Sequence, residues 1–355
     1  MDKKRPKTAG VEDADTGYKM TVGEPGDPEE CSHYERLDIK NTAKILDLGM
    51  DINLHGRYRL DLYSNSIYQK YTFLTEACRK NYPYMVKFLL DRGADVDQES
   101  DEGMTPLIMA SLSPSRIKII RLLLAAGADV NKVDAVGNTA LSHACENGCV
   151  ESARLLLDAG ADTDTQDIYG QTPLYYACSR GHTETARIII NAGADPDAVC
   201  VGGNTALIIA CIKRHTDTAE MLIANNADLN LGNIEGKTAL HVTCADHRKS
   251  GRLVKSLIAA GADINLRDIE GWTPLHCAAL FPRTGVMKIL IMAGADLYAA
   301  APDKGTPLDI IRSRSGEKYA KYSEELKELF RRVSGQRLNK EDMRKTDPTG
   351  FEFDI

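Results

Sequence analysis

Two signals recur along most of the chain at one period, and together they lay out pairs of short helices separated by polar turns. Apolar runs such as Leu122-Leu123-Leu124 end on Gly-Ala-Asp, which begins at Gly93, Gly127, Gly160, Gly193, Gly261 and Gly294, with Asn226-Ala-Asp filling the one gap. The second signal is threonine, then proline or an apolar residue, then leucine, at Thr72, Thr105, Thr139, Thr172, Thr205, Thr238, Thr273 and Thr306. Successive threonines are 33, 34, 33, 33, 33, 35 and 33 residues apart. A threonine hydroxyl caps a helix, and proline fits the first helical position because its missing N–H has no partner there. Thr105-Pro106, Thr172-Pro173 and Thr273-Pro274 therefore mark helix starts. The glycine of Gly-Ala-Asp marks a left-handed helix end, a backbone that Asn226 also tolerates. A turn with Asp and Gly, as at Asp134 and Gly137, Asp167 and Gly170, or Asp268 and Gly271, leads into each following unit.

Gly271-Trp272-Thr273-Pro274-Leu275-His276-Cys277-Ala278 resembles the most recognisable segment of the ankyrin repeat family, and Gly170 to Leu174 and Gly236 to His241 resemble it closely. The resemblance implies an all-α-dominated repeat solenoid of about seven full repeats with atypical terminal caps. Stacked helix pairs would carry short β-hairpin or turn fingers, used for protein binding. The expected organisation is a disordered segment over residues 1–30 and a degenerate N-terminal cap repeat with a Tyr-rich loop over 31–71. The repeat domain then covers 72–312, a capping helix 313–334 and a polar tail 335–355. Lys70 and Lys304 stand where the turn glycine is expected, so both terminal units are atypical. The 35-residue unit carries its extra residues between His247 and Gly251. Tyr58, Tyr63, Tyr68 and Tyr71 either cover the open end of the stack or form a binding loop.

The chain has 355 residues, of which 43% are hydrophobic and 27% charged, the balance of a globular protein. Its formal net charge of −7 argues against a nucleic-acid partner, which needs a basic face. Apolar runs such as Ala206 to Ile212 fall far short of the roughly 18 residues of a membrane span. The N-terminus lacks the apolar segment of a secretory signal, so reduced thiols in the cytoplasm, or in the nucleus, are expected. Lys4-Arg5-Pro6-Lys7 resembles a short nuclear-import signal or is simply a solvated basic end.

Cys78, Cys145, Cys178, Cys211 and Cys244 each lie six residues after a repeat threonine, on the side of the first helix expected to be buried. Equivalent helices about 8–10 Å apart are too distant for disulfides, which need α-carbons within about 7 Å. The pattern holds no clustered zinc spacing, catalytic triad or phosphate loop, so no enzyme, metal site or cofactor is expected. His241 and His276 occupy a position where the family hydrogen-bonds neighbouring loops. Asn131 and Asn265, each eight residues after a leucine, resemble sites of asparaginyl hydroxylase or are ordinary loop residues. Phe353-Asp354-Ile355 resembles a PDZ ligand that would bury the Ile355 side chain.

In the family, partners meet the finger tips and the exposed side of the first helices. Counting back from each threonine puts an apolar column at the tips, with Ile168, Val201, Ile234 and Ile269 four residues before it. Tyr169 follows Ile168, Trp272 directly precedes Thr273, and Phe281 lies eight residues after it. A hairpin tip is polar by default, so the column either packs on itself or binds protein. Trp272, the only tryptophan, is expected to be an exposed anchor whose truncation spares the fold. The expected role is a non-enzymatic interaction scaffold. The alternative is a regulatory adaptor such as a substrate-recruiting subunit of a ubiquitin ligase, although no SOCS-box-like or F-box-like segment is visible.

Overall fold

In the computed structural model, threonine opens the first helix of every repeat. The hydroxyls of Thr72, Thr105, Thr139, Thr172, Thr205, Thr238 and Thr306 each accept from the backbone N–H three residues on. At Thr238 and Thr273 the cap is reciprocal through a histidine. The Thr238 N–H donates to His241 Nδ1 at 3.2 Å, and the Thr273 N–H donates to His276 Nδ1 at 3.0 Å. The glycines of Gly-Ala-Asp do close the second helices. At one of them Gly127 N bonds Leu124 O and Ala128 N bonds Leu123 O, both at 3.1 Å, with Gly127 at φ +85°. Asn226 fills its gap at φ +61°.

The structure describes residues 10–13, 18–21, 42–43, 46–47, 49, 51–53, 56–58, 69–246, 250–281, 284–313 and 317–338. The chain divides into two compact units, residues 1–165 and 166–355. The first holds strands β1 (Gly10–Asp13), β2 (Tyr18–Thr21), β3 (Gly56–Tyr58) and β4 (Gln69–Tyr71). Its helices are α1 (Phe73–Arg79), α2 (Pro83–Asp91), α3 (Pro106–Ser111), α4 (Ile117–Ala125), α5 (Ala140–Glu146) and α6 (Val150–Asp158). The second unit contains α7 (Pro173–Arg180), α8 (Thr183–Asn191), α9 (Ala206–Lys213), α10 (Thr216–Ala224) and α11 (Ala239–Cys244). It continues with α12 (Gly251–Ala259), α13 (Pro274–Leu280), α14 (Thr284–Ala293), α15 (Pro307–Arg312) and α16 (Glu317–Leu338).

Within each unit, helices pack in pairs and each pair packs on the next in chain order, first helix on first and second on second. This is the helix-pair repeat solenoid expected from the period. Small residues line the first-helix stack: Ala77, Cys78, Ala144 and Cys145 in one unit, and Ala177, Cys178, Ala210 and Cys211 in the other, are all buried. None of the described cysteines forms a disulfide. Burial pushes the Cys211 thiol up to about 12, so it stays protonated and unreactive at neutral pH.

The ends depart from the simple repeat. Within the segment expected to be disordered, β1 and β2 pair antiparallel, in a register that sets Val11 opposite Met20 and Glu12 opposite Lys19. In place of a turn finger, the first repeat has β3 paired with β4, Arg57 opposite Lys70, and Tyr71 is buried. Tyr63 and Tyr68 lie outside the described residues, as do 247–249 of the long unit and the tail with Ile355. In the last unit the left-handed glycine moves one place, to Gly305 at φ +68°, because Lys304 holds the usual position. The capping helix runs to Leu338, past its expected end, with Glu328 paired to both Arg331 and Arg332 at 3.3 Å. It buries Tyr322 and Leu326 and sets Phe330 edge-on to Tyr298, ring centres 5.3 Å apart.

Trp272 requires a correction. It was expected on the outside, yet only 9% of it is exposed. The residue follows the turn rather than forming its tip. Its N–H donates to Asp268 Oδ1 at 2.8 Å, and its carbonyl accepts from Asp268 N at 2.8 Å and from His241 Nε2 at 3.1 Å. That pinning turns the indole inward to lie 5.9 Å from the His276 ring. Asn138, at the same phase, is buried as well.

Each finger in the second unit closes on a glycine with positive φ that presses on the next finger. A Cβ on Gly236, at φ +72°, would stand 2.9 Å from Ile269 N. Gly236→Ala should therefore cost roughly 2 kcal/mol from backbone strain and crowding. Gly285→Ala, whose added Cβ meets nothing within 4 Å, should instead gain about 0.5–1 kcal/mol. Urea midpoints of the two variants check the contrast. Trp272→Ala should cost about 3–5 kcal/mol by the cavity it leaves, and an unchanged midpoint contradicts its burial. Burial holds the His241 and His276 pKa values below the ordinary value, and in each ring Nδ1 accepts a backbone N–H while Nε2 donates to a carbonyl. The unfolded chain then binds more protons once pH falls below about 6.5, so stability should drop between pH 7.5 and 5.5. The drop should shrink in His241→Gln.

Candidate functional site

The fingers of the second unit are five-residue turns closed twice. The glycine N–H returns to the carbonyl of the first turn residue: Gly170 to Asp167 at 2.9 Å, Gly203 to Cys200 at 2.7 Å, Gly236 to Asn233 at 2.7 Å, and Gly271 to Asp268 at 2.9 Å. In the fingers that begin at Asp167, Asn233 and Asp268, the first residue's side chain then accepts two more backbone N–H groups. Asp167 Oδ1 takes those of Tyr169 and Gln171, at 2.8 and 2.7 Å. Asn233 Oδ1 takes those of Glu235 and Lys237, both at 3.0 Å. The two residues between the turn's first residue and its glycine are forced to the tip, and their side chains point away from the helices.

Neighbouring fingers are joined by one backbone hydrogen bond each. Val201 N donates to Tyr169 O at 2.8 Å, Ile234 N to Gly202 O at 3.3 Å, and Ile269 N to Glu235 O at 3.0 Å. With standard backbone dimensions these bonds keep successive tip α-carbons within about 10 Å of one another. The result is a row of apolar side chains in water: Ile168 is 64% exposed, Val201 72%, Ile234 69% and Ile269 73%. Tyr169 adds an exposed ring beside Ile168, and Glu235 and Glu270 put carboxylates beside Ile234 and Ile269. Lys237 Nζ pairs with Glu235 at 2.6 Å, and that bond raises the lysine's pKa.

Five of the seven residues singled out in the sequence therefore share one row, and two do not. Trp272 is inside. Phe281 is 46% exposed but caps the far end of α13, about 10 Å of helix away from the tips. There it occupies a first-helix position comparable to that of Ile212, which is also exposed. The sequence reading passed over Val199, exposed one residue before the second finger. Val133 is exposed at the same phase, six residues before its threonine, so the repeat register itself carried that signal.

The polar groups beneath the tips are bound into the turns. Asp167 Oδ2 accepts from Tyr176 Oη at 2.7 Å, and in the first unit Asp134 Oδ2 meets His143 Nε2 at 2.8 Å. Asp268 Oδ2 is buried without a hydrogen-bond partner, because the helix position that supplies the donor elsewhere holds Cys277. Asn131 Oδ1 accepts from Asp162 N at 2.9 Å, and Asn265 Oδ1 from Asp296 N at 3.1 Å. Both asparagines thus brace the loop to the next repeat. Among the described residues no cluster of three or more His, Cys, Asp or Glu could hold a metal ion, and no helix is long and apolar enough to cross a membrane.

A family model described as ankyrin repeats in three copies matches residues 41–134, 74–167, 116–200, 141–233, 193–268, 225–301 and 243–322. Human ankyrin repeat and SOCS box protein 6 is 38% identical over 106 residues, 28% of this chain and 25% of that protein. The putative ankyrin repeat protein YahD of Escherichia coli (strain K12) is 32% identical over 112 residues, 31% of this chain and 49% of that protein. The chain thus spans between a quarter and a half of these relatives' lengths. The crystal structure of the human ASB11 ankyrin repeat domain superposes with a TM-score of 0.56 at 26% identity, covering 64% of this chain and 99% of that one. The overlapping matches run without a break from residue 41 to residue 322 over stacked, threonine-capped helix pairs, and the chain belongs to the ankyrin repeat family.

Proposed function

We propose that the finger row of the second unit is a protein-docking ledge and that the chain works through it as a non-enzymatic interaction scaffold. Ankyrin repeats as a family indicate protein–protein interaction. One observation carries it. Four branched aliphatic side chains and a tyrosine stand in water at successive tips, on a backbone already fixed by turn and inter-finger hydrogen bonds. Leaving such a row wet is unfavourable unless a partner covers it, and a rigid row loses little conformational entropy when it is covered. The net charge of −7 supports a protein rather than a nucleic-acid partner. Buried thiols that form no disulfide support a reducing compartment, cytoplasmic or nuclear.

A second reading, a regulatory adaptor such as a substrate-recruiting subunit of a ubiquitin ligase, takes its support from the similarity to proteins named for a SOCS box as well as for ankyrin repeats. In that reading the ledge would capture the substrate and another segment would recruit the ligase.

The double variant Ile234→Asp/Ile269→Asp puts two carboxylates into the row without touching the core. It should lose its co-purifying proteins in affinity purification from the native cell, with an affinity loss of about thirtyfold or more, while its thermal midpoint stays within a few degrees. A partner set identical to that of the parent contradicts the ledge.

A further inference from the structure

The tip row carries one hydroxyl that a modifying enzyme can reach. Among the described residues the exposed tyrosines are Tyr82, Tyr84, Tyr169 and Tyr298. Tyr71 and Tyr322 are buried, and the Tyr176 hydroxyl is committed to Asp167 Oδ2. A protein tyrosine kinase takes the whole ring into its cleft, so the ring must protrude. A cleft rimmed by basic residues favours carboxylates before the tyrosine in sequence, and an apolar residue directly before it fills a neighbouring pocket. Tyr84 is the most exposed, at 82% against 55% for Tyr169, but Tyr82 and Tyr84 both follow Arg79 and Lys80, with Pro83 between them. Tyr298 follows the buried Leu297, and its ring packs edge-on to Phe330. Tyr169 meets every requirement. Exposed Ile168 directly precedes it, and Asp162 and Asp164 are exposed within the seven residues before it. No lysine or arginine occurs between Arg154 and Arg180. The next residue is Gly170, so no side chain crowds the ring from that direction.

The place of this tyrosine gives its modification a consequence. The Tyr169 N–H donates to Asp167 Oδ1 and its carbonyl accepts from Val201 N, both at 2.8 Å. The backbone is held while the ring stands in water beside Ile168, next to the finger that carries Val201. A phosphate on the ring brings close to two negative charges at neutral pH into that apolar stretch. A partner covering Ile168 and Val201 would have to strip water from the dianion, which is strongly unfavourable without a matching cation. The fold itself loses nothing, because no core contact changes. We propose that Tyr169 is a phosphorylation site for a protein tyrosine kinase and that its phosphate switches the ledge off. Tyr169 Oη attacks the γ-phosphorus of ATP, and the new O–P bond forms as the bond to the β–γ bridging oxygen breaks. The phenol proton passes to the catalytic carboxylate of the kinase, and ADP leaves. The modification site stands on exposure and sequence alone. Its effect rests on the docking-ledge reading and adds regulation to it.

The test incubates the purified full chain with a panel of recombinant non-receptor tyrosine kinases and MgATP, and locates the phosphate by tandem mass spectrometry. Tyr169 should be modified faster than any other tyrosine by at least one kinase of the panel. Tyr169→Phe should remove most of the incorporation, Tyr84→Phe should leave it unchanged, and Ile168→Lys should slow it about tenfold. The phosphorylated chain should keep its thermal midpoint within a few degrees of the parent. No phosphate on Tyr169 from any kinase of the panel, faster modification of Tyr82 or Tyr84, or an unchanged rate in Ile168→Lys overturns the site. The parent, the phosphorylated chain and the phosphorylated chain after phosphatase treatment then serve as baits in the native-cell purification. Phosphorylation should weaken about tenfold the capture of the same proteins that Ile234→Asp/Ile269→Asp loses, and phosphatase treatment should restore it. If the double variant loses its partners while the phosphorylated chain keeps them, the ledge stands and the switch falls. The switch also falls if the phosphorylated chain gains a new protein while the former partners stay bound. If the double variant keeps its partners, the ledge falls and takes the switch with it, while the site is still decided by the kinase rates.

Discussion

No helix pair in this chain can bury its own apolar side; each depends on the pair before it and the pair after it. The first helices are only six to eight residues long, too short to be stable alone. Their buried faces consist largely of alanine, cysteine and leucine, which let neighbouring helices approach closely. Stacking is thus the source of both stability and shape within each unit. The threonine caps, the left-handed glycines and the histidine bridges all serve it, by stopping each helix where the next pair needs room. The terminal elements follow from the same need. The capping helix at the C-terminal end lays Tyr322 and Leu326 inward and Glu324, Glu328 and Arg331 outward.

The fingers inherit their regularity from that stack and add a constraint of their own. Three of the four turns in the second unit tie their main chain to an Asp or Asn side chain, and Val201, Ile234 and Ile269 each give one N–H to the preceding finger. What remains is a backbone with little left to offer a partner and a set of side chains held at a fixed pitch. Repeats of near-identical scaffold can therefore present a different row of tip residues without disturbing what lies beneath.

Most of this was legible in the sequence because the stacking positions are the ones held to a narrow choice of residue. Thr at the cap, Gly or Asn at the left-handed end and a small residue six places after the threonine are physical requirements, and they read directly as a period. The exposed tips Ile168, Val201, Ile234 and Ile269 followed from counting within that period. Trp272 was misplaced because the count does not show which way a side chain leaves a turn. That depends on the positive φ of Gly271 and on the bonds from Asp268, which rotate the next residue inward. Phe281 was placed on the correct helix but at the end opposite the tips. The β1–β2 pairing carried no periodic signal, since each strand is only four residues long and lies outside the repeats. The one-residue displacement of the last turn to Gly305 was half visible, in the lysine that broke the pattern.

The account stands on the tip row being where partners touch this chain. Site-specific photo-crosslinking in the native cell measures that directly, with a photoreactive residue placed in turn at Val201, at Ile234 and at Arg187 on the outer helix α8. Covalent adducts to a common protein from Val201 and Ile234, and none from Arg187, are the predicted result. Adducts that form from Arg187 while both tip positions stay silent would contradict it.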